Sequence, residues 1–272
     1  MAATDKAVIL ARGLGKRMRR ADDAARLEAQ QEHVASTGVK ALIPIDRPFL
    51  DYVLSALADA GYQRVCLVVG PEHDAIRDYY TRQSPPRRLG VEFALQREPK
   101  GTADAVVAAE AFAGDDPVLV INSDNYYPVE ALRALRDQQT SAVAVFEQEA
   151  MFAHSNVPPE RLRQFAVAKL DGDGRLERIV EKPGEDDLAR LPRPLWVSMN
   201  CWRFRPAIFE ACRAIGPSPR GEYEITDAVQ HAISVLGEPF QALTFRSAVL
   251  DLSTRQDVAT IAPRLAGIRV DL

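Results

Sequence analysis

Five short, β-rich apolar runs at residues 7–10, 65–69, 91–95, 118–121 and 142–146 alternate with helical patterns at 49–60, 72–81, 102–113 and 129–138. Apolar runs of this length suit strands covered on both faces. Repeating strand, helix, strand leaves few topologies, because a right-handed crossover returns each strand parallel to the last. The expectation is an α/β protein with a doubly wound, mostly parallel sheet, whose ligands bind beyond the carboxyl ends of the strands. The second half is less regular. Residues 165–170 and 176–180 flank Asp171-Gly172-Asp173-Gly174 as the arms of a hairpin would, and further strands are expected at 196–204 and 240–250. A small antiparallel part is therefore expected beside the parallel one. The proline-rich spots at 84–86 and 191–194 are too short for interdomain linkers, so residues 1–272 are expected to form one domain.

Composition limits the partners. No apolar run reaches the roughly 18 residues of a membrane span, and a net charge of -4 gives no general attraction to nucleic acid or to an anionic membrane. Neither is expected as a partner, while a homo-oligomer is left open. Cys66, Cys201 and Cys212 have no metal-ligand spacing and are odd in number, which argues against disulfides or zinc and makes the cytoplasm the expected location. The run at 7–10 lacks a cleavage site after it and enters a glycine loop, so it is expected to be a first strand, not a signal. His33, His73, His154 and His231 show no ligand pattern.

The stretch Leu10-Ala11-Arg12-Gly13-Leu14-Gly15-Lys16-Arg17-Met18 sets two glycines and several cations directly after that first strand. Glycine lets backbone amides approach an anion, and lysine and arginine offset the charge of a polyphosphate. It is neither a Walker A loop nor a full GxGxxG, and a tight strand-to-helix turn with solvated cations is the plain alternative. Five basic residues fall between Arg12 and Arg20, but no aromatic residue interleaves with them as single-stranded nucleic acid would require.

The stretch resembles the LAAGxGTRM signature of the sugar-1-phosphate nucleotidyltransferases, the NDP-sugar pyrophosphorylase family. Lys40-Ala41-Leu42-Ile43-Pro44-Ile45 is similar to its KPLLPV segment, and Gln96 through Gly101-Thr102-Ala103-Asp104-Ala105 to its base-binding Q-x4-GTADA. Ser123-Asp124-Asn125 stands where the family has GDN. Glu181-Lys182-Pro183, Arg220-Gly221-Glu222-Tyr223-Glu224-Ile225-Thr226-Asp227 and Asp251-Leu252-Ser253-Thr254 (the family's DTGT) follow in the same order. The resemblance implies a Rossmann-like, glycosyltransferase-A-like fold and transfer of a nucleoside monophosphate from a nucleoside triphosphate to a sugar 1-phosphate, with pyrophosphate leaving and Mg2+ as cofactor.

The same resemblance implies the roles. Leu10, Ala11, Gly13 and Gly15 would line the nucleotide, and Arg17 and Lys40 would meet its phosphates. Gln96, Gly101 and Thr102 would face the base. A glutamine amide both donates and accepts, which suits the imide edge of uracil or thymine and favours UTP or dTTP; an exposed loop glutamine is the alternative. Asp124 and Asp251 would hold the metal, since magnesium takes one or two carboxylates plus phosphate oxygens and waters, although Asp251 could equally belong to a helix cap. Asn125 would lie with the nucleotide, Glu181 would accept from sugar hydroxyls, and Lys182 and Arg220 would hold the sugar phosphate. Asn200 would reach the sugar, but Ser198-Met199-Asn200-Cys201-Trp202 matches the family's glycine-containing strand poorly.

Several positions depart from the pattern. Arg12 replaces a small residue, Lys16 replaces a threonine, and Ala166 stands where thymidylyltransferases have a glycine. Residues 19–39 are longer than the family's usual link, with a helix expected at 23–32 behind an Asp22 or Asp23 cap, weakly anchored and lid-like, or else a rigid decoration. Two other functions stay open: a silent, nucleotidyltransferase-like regulatory subunit, and a transferase acting on a non-sugar phosphate.

Overall fold

The computed structural model describes residues 3–22 and 25–272. Eleven strands are present among them: β1 Lys6–Leu10, β2 Arg64–Val69, β3 Gly90–Leu95, β4 Val118–Asn122, β5 Asn125–Tyr126, β6 Ser141–Glu147, β7 Val167–Leu170, β8 Leu176–Val180, β9 Trp196–Phe204, β10 Phe240–Phe245 and β11 Leu250–Asp251. The main sheet runs β3-β2-β1-β4-β9-β6-β10. Every strand on this path points the same way except β9, which is antiparallel to both β4 and β6.

Alternation along each strand feeds two cores, one per face. In β1, Ala7 and Ile9 join one core and Val8 the other; in β2, Val65, Leu67 and Val69 separate from Cys66 and Val68 in the same way. Helices Phe49–Asp59, Val129–Arg136 and Arg255–Leu265 cover the first face. Helices Thr102–Ala108, Ala207–Ala214 and Ile225–Ser234 cover the second. The chain leaves β1 toward β2 and β3 on one side and reaches β4 on the other, so Leu10 lies between Val68 and Asn122 in register. That reversal of strand order opens a crevice at the carboxyl ends of β1 and β4.

The expected hairpin is β7 and β8. The Asp171 carboxylate accepts from the backbone N–H groups of Asp173 (2.9 Å) and Arg175 (2.8 Å) and closes the turn, and β7 then adds to β9.

Four expectations need correction. The strand expected at 240–250 is two strands in two sheets: β10 pairs with β6, whereas β11 pairs with β5 as a separate antiparallel ribbon. The helix expected at 72–81 is Asp74–Asp78 followed by a π-turn at Tyr79–Gln83, where the Tyr79 and Tyr80 hydroxyls both donate to the buried Asp51 carboxylate. The helix expected at 102–113 breaks at Ala109 into Thr102–Ala108 and Glu110–Ala113. Finally, the insertion carries its helix at Ala29–Thr37, capped by Glu28 and Gln31, not at 23–32. An Asp23 cap lies outside the described residues; Asp22 receives instead the Gln256 amide at 2.9 Å.

Candidate active site

The loop between β1 and the short helix Lys16–Arg19 wraps one end of a cavity of about 370 Å³. Ten expected residues line it: Leu10, Ala11, Gly13, Gly15, Arg17, Lys40, Gln96, Gly101, Thr102 and Asp124. Arg17 donates to the Ser253 hydroxyl at 3.1 Å. Lys40 sits on the 3-10 turn Lys40–Leu42 and its ammonium is ion-paired with Asp124 Oδ2. Asp124 leaves the end of β4, and its backbone oxygen accepts from Leu252 N at 2.8 Å, which ties β4 to the β11 segment.

Gln96 is buried where β3 ends. Its amide nitrogen donates to the Gly101 oxygen (3.0 Å) and to Asp104 (2.7 Å), so its carbonyl oxygen is the half of the amide left for a ligand N–H. Gly101 lines the cavity, but its lack of a side chain has a second cause. A Cβ there would stand 2.4 Å from the Tyr223 oxygen and 2.6 Å from its nitrogen, at a φ of +126°. The glycine admits the Tyr223 backbone, which is hydrogen-bonded to Lys100 and Ala103.

Two expected residues stand behind the cavity instead of in it. The Asn125 amide donates to Asp251 Oδ1 at 3.0 Å, and its oxygen accepts from Asn122 Nδ2 and from the Tyr127 hydroxyl. The side chain that was expected on the nucleotide therefore points into the protein and holds Asp251. Asp251, only 6% exposed, also accepts from the Ser253 hydroxyl (3.1 Å) and from Arg161 (3.1 Å), whose guanidinium bridges to Asp257. Burial, with the neighbouring Asp124 charge second, raises the Asp251 carboxyl above the ordinary carboxylate value against the pull of Arg161.

The sugar-side residues Glu181, Lys182, Asn200 and Arg220 do not line this cavity. Arg220 is paired with Glu224 at 2.7 Å. Lys182 (φ 42°) and Asn200 (φ 54°) are the non-glycine residues with left-handed backbone among those described. Asparagine tolerates that conformation better than most residues, which explains how Asn200 can hold a left-handed backbone within β9. Pairing of β9 with β6 shifts register beside it, between Ala144 and Val145.

Sequence reasoning missed Asn122, Ser123, Glu222 and Ser253, all in the cavity wall; Arg12 and Lys16, the two departures from the glycine-loop signature, line it as well. Asn122 and Ser123 had a signal, as they adjoin Asp124 at the end of an apolar run; Glu222 had none beyond its motif. Asp124 offers one hard carboxylate beside the cations of the cavity wall, a setting that would suit magnesium. Among the described residues no group of three or more His, Cys, Asp or Glu is placed to hold a metal unaided, so phosphate and water oxygens would complete the shell.

A parallel sheet with one reversed strand, a glycine loop at its switch point and a cation-lined cavity define a doubly wound α/β protein with its site at the crevice. The chain belongs to the nucleotidyl transferase family, whose model matches residues 34–264. It is 33% identical to a glucose-1-phosphate thymidylyltransferase of Streptomyces antibioticus, over 84% of this chain and 57% of that protein. It is 27% identical to the UTP–glucose-1-phosphate uridylyltransferase AglF of Haloferax volcanii, over 93% of each. The chain thus spans little more than half the length of the first of these relatives and nearly all of the second. In fold it matches a UDP-glucose pyrophosphorylase crystallised with UDP-glucose, with a TM-score of 0.73 and 21% identity over 99% of this chain and all of that one.

Proposed function

We infer that this chain transfers a nucleoside monophosphate from UTP or dTTP to a sugar 1-phosphate and releases pyrophosphate, with magnesium as cofactor. The observation that carries the reading is the cavity itself, with Lys16, Arg17, Lys40 and Asp124 meeting at the sheet's switch point, Arg12 beside them but paired with Glu72, and Gln96 at the base end. Two anions must meet there, and positioning with charge compensation dominates such chemistry. Arg17, steadied by Ser253, and Lys40 would bind phosphate oxygens. The free Gln96 carbonyl oxygen would accept the imide N–H of a pyrimidine dione, an interaction that cytosine, which lacks that proton, cannot make. Bound at Asp124 with the nucleotide, magnesium would offset charge on the transferring phosphoryl group. Glu181, Lys182, Asn200 and Arg220 would take the sugar phosphate on the far side. The homologous transferases support this pairing of substrates.

No described helix is long and apolar enough to cross a membrane. The three thiols are free and buried, and burial pushes those of Cys66 and Cys212 up to about 12, so a thiolate mechanism is disfavoured and a reducing, cytoplasmic setting fits.

A screen of pyrophosphate release should pair each nucleoside triphosphate with a panel of sugar 1-phosphates, with and without magnesium. Turnover with UTP or dTTP and at least one sugar 1-phosphate is expected; none with any pair would reject the reading. Asp124→Asn should lower turnover on the order of hundredfold or more with only a modest loss of thermal stability, because Asp124 belongs to neither core although the change takes the anionic partner from Lys40.

A further inference from the structure

The cavity shows an arrangement that phosphate transfer alone does not require. Both carboxylates expected near the metal already have a cation of their own: Asp124 has Lys40 and Asp251 has Arg161. The first pair lies in the cavity, with the Lys40 and Asp124 side chains only 14% and 19% exposed. Its contact with Oδ2 is direct, so the ammonium sits where a metal ion bound to that carboxylate oxygen would have to stand. Lys16 and Arg17 line the same space, as does Arg12, which is already paired with Glu72 at 3.4 Å, and Glu222 is the one other carboxylate lining it among the described residues. An unaccompanied dication therefore meets a net positive wall, while a polyphosphate is attracted by it.

We propose that Lys40 closes the Asp124 metal position in the nucleotide-free protein, and that a nucleotide phosphate opens it by drawing the lysine onto itself. This deepens the proposed function and rests on it for the identity of the nucleotide. The exchange conserves pairing. Lys40 leaves one oxyanion for another, and the carboxylate it uncovers is compensated by the ion that arrives with the phosphate. Lysine and metal ion then neutralise phosphate and carboxylate where lysine alone had neutralised the carboxylate. Nucleotide and metal bind with positive coupling, since the phosphate removes the lysine that blocks the metal and the metal compensates the carboxylate that the lysine leaves facing the phosphate.

Manganese is the probe, read by loss of its free-ion electron paramagnetic resonance signal, and uridine monophosphate is the phosphate source because it chelates manganese only weakly. Wild-type protein without nucleotide should bind manganese poorly. Lys40→Met should bind it on the order of tenfold more tightly, and Lys40→Met with Asp124→Asn should lose that gain. Saturating uridine monophosphate should raise the wild-type affinity toward that of Lys40→Met and change the variant little. Lys40→Gln serves as the second variant, and thermal unfolding verifies that each protein is folded. Wild type that binds manganese as tightly as Lys40→Met without nucleotide would overturn the proposal, as would a gain that survives Asp124→Asn. Because none of these readings requires turnover, they stay separate from the pyrophosphate screen; a protein inactive in that screen could still show the gate.

Discussion

A methyl group at Gly15 would stand 2.3 Å from the Gly38 oxygen and 2.7 Å from its Cα, at a φ of +58°. Two penalties coincide there, a left-handed backbone and a backbone collision that no rotamer relieves. Gly15→Ala should therefore destabilise the protein by about 1–3 kcal/mol and weaken nucleotide binding together with it, measurable by chemical denaturation and by nucleotide titration. His73 gives a pH-dependent case. It is buried, its Nδ1 accepts from the Gly70 N–H at 3.0 Å, and burial holds its pKa below the ordinary 6.5. The unfolded chain takes up a proton before the folded one does. The stabilising contribution is thus complete above about pH 6.5 and is lost as pH falls through the lower folded value. The stability difference between wild type and His73→Gln should shrink across that window, since Gln can accept from Gly70 without titrating; a pH-independent difference would contradict the assignment.

The insertion is fastened more firmly than its composition suggests. In helix Ala29–Thr37 Ala35 is fully buried, Gln31 donates to the Pro44 oxygen at 2.9 Å, and Glu32 is ion-paired with the buried Arg255, which also donates to the Met18 oxygen. Leu27, Val34 and Val39 pack on the first core. These contacts favour the rigid alternative to a lid. Backbone amides of 29–37 should be protected from hydrogen exchange without nucleotide, and Glu32→Gln should speed their exchange by several-fold; fast exchange in the unliganded wild type would restore the lid. The helix was misplaced in the sequence because its only fully buried residue is an alanine, which leaves no periodic apolar stripe to read. Strands β1, β2 and β4 were legible for the opposite reason: both of their faces are covered and apolar residues fill them, whereas β3, at the sheet edge, is only half-buried. The residues of 240–251 form one β-rich string, and nothing in it says that β11 leaves the main sheet to pair with β5. Motifs placed Asn125 and Asp124 side by side, but the turn at 123–124 divides them: Asp124 stays in the cavity wall, while Asn125 enters β5 and its amide donates to Asp251.

At the scale of the molecule, one sheet separates two cores, and each strand's alternation serves both. Leu67→Ala on the first face should cost about 2–5 kcal/mol in a denaturation measurement, because the surrounding strands cannot close on the gap. The reversed strand has a different consequence. β9 stands between β4 and β6, with the glycine loop, Lys40, Gln96 and Asp124 all supplied by the chain before β5. Glu181, Lys182, Asn200 and Arg220 all come after it. On the proposed reading, base choice and sugar choice are inherited in separate blocks of sequence that meet along a seam. A chimera that takes residues 128–220 from a relative using another sugar should then change its acceptor and keep its nucleotide, so that the two specificities can drift independently within one fold.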